Sequence, residues 1–137
     1  MSDFFGIHSP FIEHCGIVAV EREPGLARAR VELTPPLLNA AGNGHGGLLM
    51  TLFDVTLAAA ARGTRPNATG VATVDLNVSF LEPANGVLDC EGRVLRAGSS
   101  LVFCEGEIRD AAGGLVAKAM GTFKLLAPRA AGQITSD

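Results

Sequence analysis

A glycine-rich segment that runs directly into a predicted helix carries the residues best suited to chemistry. The segment reads Asn39-Ala-Ala-Gly-Asn-Gly-His-Gly-Gly47, and a helix is predicted immediately after it, over Leu48 to Ala61. Backbone N–H groups in the first turn of a helix have no acceptor inside the helix, and the helix dipole favours negative charge there. The start of this helix is therefore suited to stabilising an oxyanion.

Asp54 is the only charged residue of this otherwise apolar helix. No Lys or Arg lies three or four residues away, which excludes an ion pair along the helix. Enclosing a carboxylate among apolar side chains is costly unless it gains a partner. Together with the helix start, Asp54 favours acyl chemistry in which a carboxylate activates water. The alternative is a structural carboxylate bonded to a backbone N–H.

Length and composition exclude several classes of protein. The 137 residues fit one domain, and a hydrophobic content of 47% is enough for a core. A net charge of −3 with dispersed Lys and Arg argues against a nucleic-acid surface. No apolar run has membrane-spanning length and no signal segment is visible, so we expect a cytoplasmic protein without a membrane partner.

The three cysteines, Cys15, Cys90 and Cys104, are odd in number and lack a CxxC spacing. This pattern indicates reduced, buried thiols. Since no His, Cys and Asp residues share the spacing of metal ligands, we expect no metal and no cofactor.

The elements that must position these residues follow from alternation and turn signals. Residues 1–14 form a lead-in in which Ser9-Pro10 is a helix start, and the second strand has the pattern of a sheet edge. The links between the last four strands are short, so we expect consecutive strands to pair antiparallel. The predicted strands span residues 16–21, 27–33, 70–81, 86–95, 100–109 and 115–126.

A helix that is apolar nearly all round must be covered on most sides. The sequence therefore predicts an α+β fold in which an antiparallel sheet wraps around one long central helix. This single domain spans residues 1–126, and residues 127–137 form a loose tail. In so small a chain, a second copy is expected to cover the remaining face of the helix.

The run Gly42-x-Gly44-x-x-Gly47 matches the dinucleotide-binding pattern by letters alone. That pattern requires a preceding strand in a βαβ unit and an acidic residue some twenty positions later. Pro35-Pro36 precedes the run, and no Asp or Glu lies between Asp54 and Asp75. Nucleotide binding of this type is therefore excluded.

Three motifs together resemble the hotdog-fold acyl-CoA thioesterases of the phenylacetic-acid-degradation type. The resemblance extends from about residue 9 to 126 and implies the hotdog fold reached above. It also implies hydrolysis of an aryl- or medium-chain acyl-CoA by homodimers or homotetramers with sites at the subunit boundary. The motifs are Asn39-x-x-Gly42-x-x-His45-Gly46-Gly47, Asp54 within Thr51-Leu-Phe-Asp-Val55, and Val74-Asp-Leu-Asn-Val-Ser-Phe-Leu-Glu-Pro83.

The resemblance also implies roles for individual residues. Asn39 and the Gly46 N–H would polarise the thioester carbonyl, and Asp54 would be the general base or, as the second choice, the nucleophile. Thr73 matches a position where relatives place a hydroxyl that helps hold the attacking water. His45 and Gly47 are expected to contact substrate.

The spacing along the helix predicts a site shared between subunits. Asp54 lies eight residues after Gly46, which is about 12 Å along the helix axis. One helix cannot direct both groups at the same carbonyl. Two antiparallel helices can, if Gly46 of one subunit faces Asp54 of the other, so we expect an obligate dimer with two equivalent sites.

Several of these residues have a structural alternative. His45 and Asn39 could simply brace the loop by hydrogen bonding. On a regular strand Thr73 has the opposite parity to the apolar set Ala72, Val74 and Leu76, so it reaches the site only with a bulge or from the partner side. The aromatic and aliphatic residues Phe4, Phe5, Phe11 and Ile12 line either an acyl pocket or the core.

The carrier and the reaction leave alternatives open. The phosphates of coenzyme A need basic side chains, yet Ser99-Ser100 follow Gly98 where many relatives carry a basic residue. The substrate could instead be a thioester of a carrier protein. The competing functions are those of a non-catalytic acyl binder and an enoyl-CoA hydratase. The basic candidates are Arg62, Arg65, Arg93, Arg96 and Lys118.

Overall fold

The computed structural model describes residues 3–127, in which one long helix lies against a six-stranded antiparallel sheet. The strands pair in the order β1-β2-β4-β5-β6-β3, so β1 and β3 form the two edges. The predicted hotdog architecture is confirmed; the predicted tail, apart from Ala127, lies outside the described residues. The elements are α1 (Pro10–Cys15), β1 (Val18–Glu23), β2 (Leu26–Glu32), a 3-10 turn (Pro35–Leu37), α2 (Gly46–Arg62), β3 (Gly70–Phe80), β4 (Val87–Ala97), β5 (Leu101–Asp110) and β6 (Leu115–Leu126).

The short helix α1 begins at the predicted Ser-Pro pair. The Ser9 Oγ accepts the backbone N–H of Ile12 at 3.3 Å, and Pro10 occupies the first position, where no N–H is required. Gly16 ends the helix in the left-handed conformation with φ 75°. Because Gly16 is used for this cap, β1 begins at Val18, two residues later than predicted.

Helix α2 packs its apolar side chains against one face of the sheet. Leu52, Phe53 and Leu57 are fully buried. Burial of each such side chain contributes about 2 kcal/mol to the stability of the fold. The helix approaches the sheet closely at Gly106 on β5, where a Cβ would lie 2.6 Å from Leu57 Cδ1. Neither α2 nor any other helix within residues 3–127 is long and apolar enough to span a membrane.

One face of α2 stays uncovered within the chain. Its residues recur every three or four positions, as one side of a helix requires, and none of them is fully buried. Asp54 lies on this face and is half-buried, so its own chain does not enclose it. We call this stripe the open helix face; it comprises Met50, Thr51, Asp54, Val55 and Ala58.

The short link between β3 and β4 does not form a hairpin, which corrects the predicted pairing. Strand β3 pairs with β6, and β4 lies between β2 and β5. The link instead crosses the start of α2, where the Ala84 carbonyl accepts the Gly44 N–H at 2.8 Å. Strand β2 is likewise interior and not an edge, because β4 covers its second side. The other two short links join neighbours as predicted.

The three cysteines are unpaired and buried, as predicted. Burial raises the pKa of the Cys90 and Cys104 thiols to about 12. Both therefore stay protonated at neutral pH, and a protonated thiol is a poor nucleophile. Burial also raises the pKa of Cys15. The raised pKa values disfavour nucleophilic chemistry at these positions.

Candidate active site

The side chain of Asn39 braces the loop that leads into α2. Its Oδ1 accepts the backbone N–H groups of Ala41 and Asn43, each at 3.0 Å. Between them, Gly42 has φ 84°, a conformation that glycine adopts without strain. Because both backbone donors bond to the oxygen, the Nδ2 amide of Asn39 is left to donate elsewhere. The bracing alternative and a donor role are therefore compatible.

At the start of α2, some backbone N–H groups bond to the protein and one does not. His45 is the N-cap, and its Nδ1 accepts the Gly47 N–H at 2.9 Å. The His45 carbonyl accepts the N–H groups of Leu48 and Leu49 at 2.9 and 3.1 Å. Within residues 3–127, no acceptor is recorded for the N–H of Gly46. Gly46 thus offers the helix-terminal donor that an oxyanion requires, whereas the Gly47 N–H is already used.

A cavity of about 380 Å³ lies beside this free donor. Asn39 and Gly46 both line it, so the structure brings the two predicted polarising groups to one place. The ring of Phe80 covers Gly46, since a Cβ on Gly46 would lie 3.6 Å from Phe80 Cε1. Phe80 is not among the residues predicted for the site; the available signal was an apolar residue at the end of a strand, three residues before Pro83.

Asp54 and Thr73 form the second polar pair. The Thr73 hydroxyl donates to Asp54 Oδ1 at 2.6 Å, which joins the open helix face to the edge strand β3. This short hydrogen bond to a carboxylate fixes the side chain and leaves Oδ2 available to a further donor, such as a water molecule. Thr73 is therefore placed beside Asp54, where the resemblance implies it.

A bulge in β3 explains how Thr73 reaches Asp54. Thr73 pairs with Phe123 and Asp75 with Thr122, so Val74 is the extra residue on the bulged strand. An extra residue switches the side chains that follow to the opposite face. Before the bulge Val71 and Thr73 face the helix, and after it the inward positions are those of Leu76 and Val78. The bulge that the parity of Thr73 requires is present.

For the thioester hydrolysis that the resemblance implies, replacing Thr73 with valine is expected to lower kcat about tenfold, because the hydroxyl that orients Asp54 is lost while the shape is kept. The Thr73→Ser variant retains the hydroxyl and is expected to keep most of the activity. Steady-state hydrolysis of one thioester by both variants is the measurement. Equal losses in the two variants would mean that the methyl group matters and the hydrogen bond does not.

The two polar pairs do not meet within one chain. From Gly46 to Asp54 the helix advances by about 12 Å, as the sequence spacing predicts. The free N–H and the Asn39 amide lie at the helix start, whereas the carboxylate lies on the open helix face beside Thr73. Within one chain, the two polar pairs therefore lie at separate positions along α2.

A second, more apolar cavity of about 340 Å³ lies on the other side of the helix start. Phe11 lines it and is 59% exposed, which fits a surface that a ligand or a partner covers. Of the other predicted pocket residues, Phe4 and Ile12 are buried in the core. The remaining lining residues are Cys15, Pro36, Leu37, His45, Gly47, Leu48 and Thr51.

Four of the five basic candidates for a phosphate already bond to the protein, and Arg62 does so through the Phe5 carbonyl. Arg65 donates to the carbonyls of Gly98 and Ser99 in the β4–β5 turn. Arg93 and Lys118 join a carboxylate network on the outer face of the sheet. Hydrogen bonds from Arg109 and Lys118 lower the pKa of Glu107 in this network to about 2. Of the candidates, Arg62, Arg65 and Arg96 have no carboxylate partner within residues 3–127.

Comparison with known proteins identifies the family of this chain. Residues 41–117 match the family model described as the thioesterase superfamily. Human acyl-coenzyme A thioesterase 13 is 32% identical over 109 residues, which cover 77% of each chain. A Saccharolobus solfataricus protein with a provisional esterase name is 35% identical over 111 residues, covering 80% of this chain and 79% of that one.

Solved structures show the same fold. A conserved protein from Pseudomonas aeruginosa superimposes with a TM-score of 0.83 and 31% identity, covering 87% of this chain and 95% of that one. The PaaI protein from the phenylacetic acid degradation operon of Escherichia coli gives a TM-score of 0.81 at 21% identity, covering 87% and 86% of the two chains.

Proposed function

The chain belongs to the thioesterase superfamily, and from this premise we propose that it hydrolyses an acyl-CoA thioester to the free acid and CoA. The observation that carries the proposal is the Asp54 carboxylate, held by the Thr73 hydroxyl on the open helix face. No Lys or Arg forms an ion pair with Asp54 within residues 3–127, so its negative charge is available to accept a proton.

In the proposed reaction Asp54 accepts a proton from a water molecule, whose oxygen attacks the thioester carbonyl. The Gly46 N–H and the Asn39 amide stabilise the resulting oxyanion. Collapse of this tetrahedral intermediate breaks the C–S bond, and the thiolate takes up the proton held by Asp54. Thr73 keeps the carboxylate oriented toward the water. Direct attack by Asp54 on the carbonyl is the second choice of mechanism.

Each proposed site combines Gly46 and Asn39 of one subunit with Asp54 and Thr73 of its partner. Support comes from the edge strand β3, which among the strands of residues 3–127 pairs with β6 alone, and from the open helix face beside it. This region exposes apolar side chains that a second copy would bury. The assembly of dimers into tetramers stays an expectation from the resemblance. The exposed apolar residues include Met50, Val74, Phe80, Leu81 and Met120.

An aryl or medium-chain acyl group is the proposed substrate. The cavity lined by Phe11, Leu37 and Leu48 adjoins the helix start and offers an apolar environment of about 340 Å³. Thr51 lines the same cavity and lies one helical turn before Asp54, so the cavity continues onto the open helix face. His45 and Gly47 border it, consistent with their predicted contact with substrate.

The proposal predicts that purified protein hydrolyses aryl- and medium-chain acyl-CoA thioesters faster than acetyl-CoA. The physical reason is the apolar area that the longer groups bury, since each buried methylene contributes about 0.8 kcal/mol to the free energy of binding. The measurement is initial rates across a panel of aryl, short and long acyl-CoAs, with release of free thiol as the readout. Background rates on every member, together with saturable binding, would favour the non-catalytic acyl binder.

A further inference from the structure

Two arginines meet at a cavity at the opposite end of α2 from the Gly46 donor. The cavity measures about 670 Å³ and lies between the lead-in segment, the β1–β2 turn, the end of α2 and the start of β3. Arg22 comes from β1 and Arg62 from the last turn of α2. Gly63, Thr69 and Gly70 form part of the wall.

Contacts with Phe5 hold both guanidinium groups in place. Arg62 Nη2 donates to the Phe5 carbonyl at 3.1 Å. The Arg22 guanidinium lies over the Phe5 ring, 5.4 Å from its centroid, in a cation–π contact. Phe5 itself has φ 52°, which is an unusual backbone conformation for a bulky residue. The lead-in segment therefore positions the two cations side by side at the cavity.

The positive charge of this pair is not neutralised within residues 3–127. Glu23 lines the cavity, but neither arginine forms an ion pair with a carboxylate within 4 Å. The Nε of Arg62 is buried and has no hydrogen-bond acceptor in the part of the chain that the structure describes. Burial and the neighbouring Arg22 lower the pKa of Arg62. A buried donor without an acceptor and two like charges in proximity both favour an added anion.

The ordinary role of a basic residue at a helix end does not explain Arg62. Such a residue usually bonds to the last carbonyls of its helix. Here the N–H groups of Gly63, Thr64 and Arg65 bond to the carbonyls of Ala59, Ala61 and Arg62, respectively. The Arg62 side chain extends sideways to Phe5 instead, toward the cavity.

We propose that this cavity binds an oxyanion carried by the substrate, a carboxylate or a phosphate, between Arg22 and Arg62. The inference rests on the proposed thioester substrate. Arg62 lies eight residues after Asp54, about 12 Å along the helix, and the small side chain of Ala58 lies between them on the open helix face. Val71 lines the cavity two residues before Thr73, about 7 Å along β3. A charged group at the far end of a bound thioester is therefore within reach.

Two sources of the anion are distinguished by four probes that cannot be hydrolysed. Each is a thioether in which a methylene replaces the thioester carbonyl. Its straight alkyl chain ends either in a methyl group or in a carboxylate. Each chain is attached to CoA or to N-acetylcysteamine, which lacks the phosphates. Calorimetric titration gives the dissociation constants for wild type, Arg22→Gln, Arg62→Gln and the control Arg30→Gln. Arg30 pairs with Asp89 on the outer face of the sheet, so this control removes the same charge elsewhere.

A carboxylate source predicts that Arg22→Gln weakens both carboxylate-ended probes about tenfold and spares the methyl-ended ones. A phosphate source predicts the same loss for both CoA probes and none for the cysteamine probes. Either result supports the site, and Arg62→Gln should reproduce it if thermal unfolding shows that this variant folds. The proposal is overturned if, for each of the four probes, Arg22→Gln has the same dissociation constant as the control Arg30→Gln. It is also overturned if wild type binds none of the probes. Because no probe is hydrolysed, these results are independent of whether the protein turns over a thioester.

Discussion

Replacing Asp54 with asparagine is expected to lower kcat by about 10²–10⁴-fold, the range typical of a lost general base. The amide of asparagine cannot accept the proton of the attacking water at neutral pH. The fold should be unaffected, because the asparagine Oδ1 can still accept the Thr73 hydroxyl that Asp54 Oδ1 accepts at 2.6 Å. The measurement is kcat on the best acyl-CoA of the panel, together with the thermal unfolding temperature.

Asp89→Asn is the matched control for this substitution. The Asp89 side chain is about half-exposed and pairs with Arg30 on the outer face of the sheet, where loss of an ion pair costs at most about 1 kcal/mol. We expect its kcat to remain at the wild-type value. If Asp54→Asn retained most of its turnover while staying folded, the assignment of Asp54 as the base would be wrong.

Replacing Gly46 with proline is expected to lower kcat/KM by about 10²–10³-fold, as found when one oxyanion donor is removed. Proline deletes the N–H, which within residues 3–127 has no acceptor, and proline is favoured at the first position of a helix. His45 before it has φ −63° and ψ 134°, a conformation that the residue before a proline prefers. Helix α2 should therefore form normally, so the loss reports on the donor.

Gly46→Ala separates the donor from the side chain. Alanine keeps the N–H, and its Cβ would lie 3.6 Å from the ring of Phe80, an ordinary contact distance. We expect its kcat/KM to stay within a few-fold of wild type. Equal losses in the alanine and proline variants would show that crowding against Phe80, and not the missing donor, causes the effect.

The same two variants test whether the sites are shared. In a heterodimer of Gly46→Pro and Asp54→Asn, one site carries both substitutions and the other carries neither. Equal mixing with free exchange of subunits should therefore restore about a quarter of the wild-type activity. Exchange is verified independently by mass spectrometry of the mixed dimers. If heterodimers form and stay inactive, each site belongs to one subunit and the shared arrangement is wrong.

The candidate site was predictable from sequence where local chemistry decides it. An N–H in the first turn of a helix lacks a partner in any fold, so Gly46 could be proposed from its position alone. The absence of a cation near Asp54 along the helix could likewise be read directly from the residues. The hydrogen bond by which His45 caps Gly47 is also local, since the two residues are only two positions apart in the chain.

The parts that sequence did not reveal depend on residues far apart in the chain. The bulge at Val74 exists only in the pairing of β3 with β6, and alternation within β3 alone does not locate it. The link from β3 to β4 has the length of a hairpin, yet its contacts with Gly44 and Val116 take it across the start of α2. Arg22 and Arg62 lie forty residues apart, and only the folded lead-in brings them together at Phe5.

The sequence by itself determined the helix with its lone carboxylate, the free donor at its start, and six strands of alternating residues, because these follow from short-range periodicity and backbone hydrogen bonding. Only the tertiary structure decided which strands are neighbours, that Thr73 faces Asp54, and that one face of α2 is left open. Those features arise from packing between distant segments, where many pairings satisfy the same local pattern and the least costly burial of apolar surface selects one.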